Sequence, residues 1–414
     1  MNEIADPAAF EAAARPTPHH PGLVLLALAI GGFAIGTTEF AAMSLVPYFA
    51  PDLGIGATTA GHVISAYALG VVVGAPVIAV LAARMARRTL LVVLMLLFAL
   101  GNGLSALAPT YGFLVGFRFV AGLPHGAYFG VAALVAASLV PRERRSQAVS
   151  RVLAGLTVAT MVGVPLANLI GQYIGWRWSF GFAALLAVLT ATLVRLFAPY
   201  GAPLQGASPL RELGALRRGQ VWLTLATGAI GFGGMFAVYT YLASTLLEVT
   251  HAGAASIPVM LTIFGAGLTI GNLVCAWAAD RGVMRAAGAT LVWSIVALAL
   301  YPFATGSVWT LAPVVFLIGC TGGLGTVLQT RLMDVAEDAQ TLAAALNHSA
   351  FNTANALGPW LAGLVLSAGF GFPATGWVGV ALALCGLVIW GVSLATDRPR
   401  RAEQPAEDRI SRAA

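Results

Sequence analysis

Glu39, Arg118 and His125 are the side chains whose chemistry stands out, because each sits inside a long apolar stretch. Glu39 lies about two thirds of the way along residues 23–50, LVLLALAIGGFAIGTTEFAAMSLVPYFA. A carboxylate at bilayer depth costs roughly 2.5–3.5 kcal/mol on insertion scales unless it faces a cavity or a partner. One reading is a carboxyl that keeps its proton or snorkels to a helix end. The other is a site that takes up and gives off a proton on a transport path, and the scarcity of other buried charge favours it. Glu39 stands eight residues before Pro47, and Arg118 seven residues after Tyr111. At ~1.5 Å per residue both lie roughly 10–12 Å below the same membrane surface. A lone arginine there could snorkel outward, but a shared cavity explains two deep charges in separate helices better. His125, seven residues beyond Arg118, falls on a similar face and deeper. Its imidazole suits a proton relay, and a hydrogen-bonded packing role is equally open.

A second set of polar groups lies near the C-terminus. Asn347, His348, Asn352 and Asn355 share one apolar segment, and the four- and three-residue steps from His348 to Asn352 to Asn355 make one stripe. Lipid offers such groups no hydrogen bonds, so the stripe faces protein or a water-filled cavity. It serves either as interhelical contacts worth ~0.6 kcal/mol each or as solute-binding amides. Phe33, Tyr128, Tyr239, Tyr241 and Gln329, with Asn347, His348 and Asn352, form the expected solute-binding set. No Walker sequence, Gly-x-Ser-x-Gly or His-Glu-x-x-His occurs, so neither an enzyme nor a nucleotide-driven pump is expected. Cys275, Cys320 and Cys385 are scattered singly, and the adjacent His19 and His20 make a weak metal motif. No metal or cofactor is expected.

The elements that must hold these groups follow from composition. Of 414 residues, 59% are hydrophobic and 9% charged, against roughly a quarter charged in soluble domains. This is an all-α membrane protein. Apolar segments recur at about 23–48, 58–82, 89–108, 111–139, 147–171, 178–198, 221–248, 256–279, 286–304, 308–331, 341–368 and 375–395, which predicts twelve transmembrane helices. All 22 basic residues are arginine, and most cluster in alternate loops and the C-terminal tail: Arg84, Arg87 and Arg88; Arg142, Arg144 and Arg145; Arg211, Arg217 and Arg218; Arg281 and Arg285; Arg398, Arg400, Arg401, Arg409 and Arg412. The loop between helices 10 and 11 fits less well, since Asp334, Glu337 and Asp338 outnumber Arg331, but acidic residues count little in this rule. The intervening loops hold only Asp52, Arg177, Glu248 and His251 as titratable groups. That alternation predicts cytoplasmic termini, and it assigns the high pI to membrane orientation rather than to nucleic acid.

The expected organisation is a cytoplasmic tail (1–20), a six-helix half (21–198), a cytoplasmic linker (199–220), a second six-helix half (221–395) and a cytoplasmic tail (396–414). Proline and glycine mark the linker. The halves echo each other at offsets of 194–199 residues: Gly32-Phe33 with Gly231-Phe232, Phe117–Gly122 with Val314–Gly319, and Gly163-Val164-Pro165 with Leu357-Gly358-Pro359. Such an echo points to an internal duplication of the parallel-repeat kind, giving two pseudo-symmetric halves. Under it Glu39 faces Val238 and Arg118 faces Val315, so the charges are not duplicated. Gly155, Gly163, Gly171 and Gly175 are spaced at multiples of four beside Pro165, which predicts a closely packed, bent helix at a moving interface.

GTTEFAAMSLVP (36–47), RFVAGLPHGAYFGVA (118–132), GVPLAN (163–168), GWRWSF (175–180) and LMDVAEDAQTLAAALNHSAFNTANALG (332–358) resemble the major facilitator superfamily. The likeness is to its drug:proton antiporter group, among arabinose-efflux-like, sugar-efflux and chloramphenicol-resistance permeases, and spans nearly the whole chain outside its tails. It implies an inner-membrane secondary transporter, expected as a monomer, that exports a small organic solute in exchange for protons. A central cavity would be lined mainly by helices 1, 4, 7 and 10. Glu39 would bind the proton and Arg118 would tune it. The alternatives are a uniporter or proton symporter for uptake of sugars or nucleosides, and a membrane sensor with a transporter-like body. Two departures stand out. The loop VLAARMARRTL carries Ala83 where the family has aspartate before Arg84, whereas Asp280-Arg281 is kept after helix 8; Arg84, Arg88, Asp280 and Arg281 are therefore the expected gating residues. Gly163 and Pro165 enclose a valine where the antiporter signature has Gly-Pro directly.

Overall fold

The computed structural model describes residues 21–81, 85–141, 144–200, 217–336 and 340–397. The 1–20 tail, Arg84, most of the 199–220 linker and nearly all of the 396–414 tail lie outside the described residues. Among the described residues the chain is all-helical. The long helices are α1 (Pro21–Ser44), α2 (Ala57–Leu81), α3 (Arg87–Ala106), α4 (Tyr111–Ser138), α5 (Gln147–Tyr173), α6 (Trp176–Phe197), α7 (Gly219–Glu248), α8 (Ser256–Ala279), α9 (Val283–Ala304), α10 (Val308–Ala336), α11 (Gln340–Ser367) and α12 (Thr375–Thr396). Eleven segments of the described residues are apolar and long enough to cross a bilayer, and α11 adds a helix of 28 residues. Helices satisfy their own backbone groups, which lipid cannot do.

Four spans are interrupted, each where local chemistry explains it. In α4 the helix stops at Gly122 and restarts at His125, because Pro124 has no N–H to continue the ladder. In α7 it breaks at Phe232 between two glycines, and α10 narrows to a 3₁₀ turn over Thr321–Gly323. In α5 a π-turn, Ala159–Gly163, absorbs the bend just before Pro165. The first span also ends earlier than the hydropathy suggests. It stops at Ser44, and a seven-residue helix, Val46–Asp52, follows with Pro47 in its first turn.

Glycines set the closest crossings. A Cβ at Gly70, Gly74 or Gly122 would stand 2.2, 2.1 or 2.1 Å from the carbonyl oxygens of Phe119, Leu123 and Tyr67. A Cβ at Gly267, Gly271 or Gly319 would meet those of Phe316, Cys320 and Phe264 at 2.2, 2.1 and 2.4 Å. Helix α2 therefore crosses α4, and α8 crosses α10, backbone to backbone. The two sets are displaced by 197 residues throughout, glycine for glycine and partner for partner.

Around these crossings α1 packs on α5 and α6, α7 packs on α11 and α12, and α2 runs along α11. Residues 34–46, from α1 into the start of the short helix, and 231–246 of α7 are buried on every face. Phe40 closes this region against Phe236 and Tyr239, with ring centroids 6.1 and 5.7 Å away. Toward the other membrane face Phe33, Gln329, Leu346 and His348 are only half-buried. The bundle is thus sealed at the end carrying the α1–α2 loop.

Candidate functional site

Glu39 lies within the sealed stretch of α1, 7% exposed. Its carboxylate Oε1 accepts a hydrogen bond from Nδ2 of Asn355 on α11, 3.3 Å away. Arg118 is fully buried, so it does not snorkel to the membrane surface. Its Nη2 donates to the carbonyl of Thr38, beside Glu39, at 3.5 Å, and its Nη1 donates to Asn102 Oδ1 at 3.2 Å. The same Asn102 oxygen accepts from Thr38 Oγ1 at 2.8 Å, which ties α1, α3 and α4 together. The guanidinium lies over the rings of Tyr67 and Phe180, 4.3 and 5.1 Å from their centroids. Glu39 and Arg118 thus share one buried region without forming a direct ion pair. Delocalised charge held between aromatic faces loses less on burial than a bare ammonium would.

From this centre a chain of side chains runs to His348. Tyr67, whose ring supports Arg118, shares a hydrogen bond of 3.0 Å between its hydroxyl and His125 Nδ1. The His125 ring lies 5.9 Å from that of His348, and Phe129 stacks on His348 at 5.4 Å with the planes 6° apart. His125 is buried at the restart of α4, where the break turns its side chain toward α2 and α11.

The expected solute-binding residues divide into two groups. Phe33 is half-buried and presses on Gly163, where a Cβ would stand 2.9 Å from its ring and 2.1 Å from Thr37 Oγ1. Tyr239 packs against Phe264, centroids 4.2 Å apart and planes tilted by 39°. Asn347 is buried, and Gln329 is half-buried on the last segment of α10. Asn352 donates Nδ2–H to the His348 carbonyl at 3.0 Å, and its Oδ1 accepts from no protein group. The hydroxyls of two tyrosines are engaged with backbone. Tyr128 donates to the Leu28 carbonyl at 2.7 Å within the first six spans, and Tyr241 donates to the Pro359 carbonyl at 3.1 Å, with its hydroxyl against Gly61.

Among the expected gating residues, Arg88 donates to the Arg195 carbonyl and so fastens the start of α3 to the end of α6. Arg281 folds back on its own helix, 3.6 Å over the Trp277 ring and bonded to the Trp277 carbonyl, and Asp280 is exposed beside it. Near the site, Tyr67 and Asn102 escaped the sequence reading. A tyrosine or an amide alone in an apolar helix is too common to single out.

The sequence profile of the Major Facilitator Superfamily matches this chain over residues 28–251 and 239–413. The chain belongs to that superfamily. It is 41% identical to the inner membrane transport protein YdhP of Escherichia coli strain K12 over 366 residues, covering 87% of this chain and 94% of that protein. It is 36% identical to a chloramphenicol resistance protein of Streptomyces lividans over 352 residues, covering 83% and 89%. A crystal structure of the nucleoside transporter NupG superposes with a TM-score of 0.72 at 11% identity, covering 91% of this chain and all of that one, and so shares the fold. The protein is therefore a multi-pass membrane transporter for a small-molecule substrate, and not an enzyme.

Proposed function

We propose that this transporter exports a small organic solute in exchange for protons, with Glu39 as the proton-binding group. The observation that carries this reading is Glu39 itself: a carboxyl deep in the bundle, bonded to Asn355 across the packed helices. Arg118 of α4, bonded to the carbonyl of Thr38 next to Glu39, supplies a positive charge that favours the carboxylate, while burial favours the neutral acid. His125, reached through Tyr67, is the next protonatable station. The solute would bind among Phe33, Tyr239, Gln329, Asn347, His348 and Asn352, with Tyr128 and Tyr241 holding the wall.

The two glycine crossings 197 residues apart support two six-helix halves, 21–198 and 221–395, rocking as units about the site. Gly163 against Thr37 and the π-turn before Pro165 give α5 the close contact and bend that such motion uses. The arginine-rich loops support cytoplasmic termini, and the likeness to an inner membrane transport protein supports that membrane. With that orientation the sealed end faces outward. Relatives named for chloramphenicol resistance and for probable sugar efflux make a drug or a sugar the solute class to try first. We take the working unit to be a monomer.

The test is a thermal-stability screen of the purified protein against drugs and sugars at two pH values. A binder whose stabilisation weakens at the lower pH supports exchange. Stabilisation that strengthens at the lower pH would favour symport and overturn the proposal.

A further inference from the structure

Asn355 is fully buried, and its amide is divided between two environments. Nδ2 donates to Glu39 Oε1, while Oδ1 accepts from no protein group. Three residues away on the same face, Asn352 repeats the pattern. Its Nδ2 is held by the His348 carbonyl, and its Oδ1 is also unpartnered and buried. Two buried acceptor oxygens on one helix face, beside a carboxyl, await hydrogen-bond donors.

We infer that Asn355 reads the proton on Glu39 and presents the opposite hydrogen-bonding polarity to the solute in each protonation state. An ionised carboxylate only accepts, so Asn355 must turn Nδ2 toward it and its oxygen away. A protonated carboxyl must donate its O–H, and the acceptor within reach is the oxygen of the same amide. A half-turn of the amide then takes Oδ1 to Glu39 and swings NH₂ to the solute side. Only the proton on the carboxyl changes hands, and no co-reactant is needed. Ionised Glu39 thus leaves two acceptor oxygens, from Asn352 and Asn355, facing the solute. Protonated Glu39 replaces one of them by a donor.

This sets a substrate class. The solute carries two neighbouring O–H or N–H donors, and an apolar part to lie against Phe40, Phe236 and Tyr239. Such a solute and the proton exclude one another, which is the condition for exchange. The inference rests on the proposed role of Glu39.

The ionisable groups facing Glu39 are Arg118 from α4 and Tyr67 from α2. Tyr239 of α7 meets the neighbouring Phe40. Helices α5 and α6, packed on α1, carry no ionisable side chain over 152–172 and 178–194. The amide is therefore the group able to change its hydrogen bonding with the proton at no cost in charge.

The test is pH-difference infrared spectroscopy of the purified full-length protein, without solute. The carboxyl stretch of Glu39 is assigned by its loss in Glu39→Gln. In wild type it should appear at the lowered frequency of an acid that donates a hydrogen bond. In Asn355→Leu it should move to higher frequency, and its pH midpoint should rise by about one unit, because the bond lost by the carboxylate is stronger than the bond lost by the acid. Asn355→Asp keeps the size and serves if the leucine variant does not fold. There the midpoint should also rise, because two adjacent carboxylates resist ionising together. An unchanged frequency and midpoint in either folded variant would overturn the role of Asn355 and leave Glu39 as the proton site. A wild-type spectrum with no band lost in Glu39→Gln would overturn both readings.

Discussion

Spans α1–α6 and α7–α12 cross at matching glycines yet carry different chemistry. Where α2 meets α4, Tyr67 and Arg118 face a buried carboxyl; 197 residues on, the same positions hold Phe264 and Val315. Among the described residues the first set has an ion pair on the α1–α2 side, Asp52 with Arg177, and the last set has one on the opposite side, Arg331 with Asp397 at 2.7 Å. The backbone crossings match because no side chain fits there, whereas the facing side chains differ. The proton chemistry proposed for one set can bias the other only through contacts between them. Two such contacts are Glu39 with Asn355 and His125 with His348.

The largest expected effect tests the shared part of this comparison. Gly122→Leu and Gly319→Leu each drive a side chain into a carbonyl and should each cost about 3 kcal/mol or more of stability, seen as a fall in the thermal midpoint in detergent. A large loss for one and none for the other would break the equivalence of the crossings. Next comes Arg118→Ala, which removes one of the two donors to Asn102 Oδ1 and leaves Glu39 without its positive neighbour. It should lower stability by about 3 kcal/mol and impair transport of every solute.

A smaller change sharpens the asymmetry. Tyr67→Phe makes α2 resemble α8 at this point. It keeps the ring beneath Arg118 but removes the hydroxyl bonded to His125, which should cost about 1 kcal/mol and shift the pH profile of transport. Phe264→Tyr should leave the pH profile alone, because no histidine stands at the matching place: position 322 is glycine.

The smallest effect lies at the membrane surface. The Asp52 carboxyl is held below the usual aspartate range by hydrogen bonds from Arg177 and Trp176. Its contribution is therefore present above that range and is lost as pH falls through the lowered value. The group is half exposed, so Asp52→Asn should cost only roughly 0.3 kcal/mol, and that difference should vanish at acid pH in the same melting assay.

Much of this was legible in the sequence. Charge inside an apolar run is costly, so Glu39 and Arg118 announced themselves, and helix rise placed them at one depth. The echo between halves was visible through a few glycines. Other features were not legible, for physical reasons. The bond from Glu39 to Asn355 joins residues 316 apart in sequence, and nothing in either segment names the other. Tyr67 gains its role from lying under Arg118, and the π-turn of α5 reflects packing against neighbouring helices as well as Pro165. The amide stripe on α11 was visible, but which of its ends remain unpartnered depends on tertiary contacts.

The central claim is that Glu39 is the group that exchanges its proton for solute. It is tested most directly by proton release from purified protein in weakly buffered detergent when a solute identified by the stability screen is added. Wild type should release protons on binding. Glu39→Gln, folded and still able to bind, should release none. Release equal to wild type from that variant would contradict the account and move the proton site elsewhere, with His125 next in line.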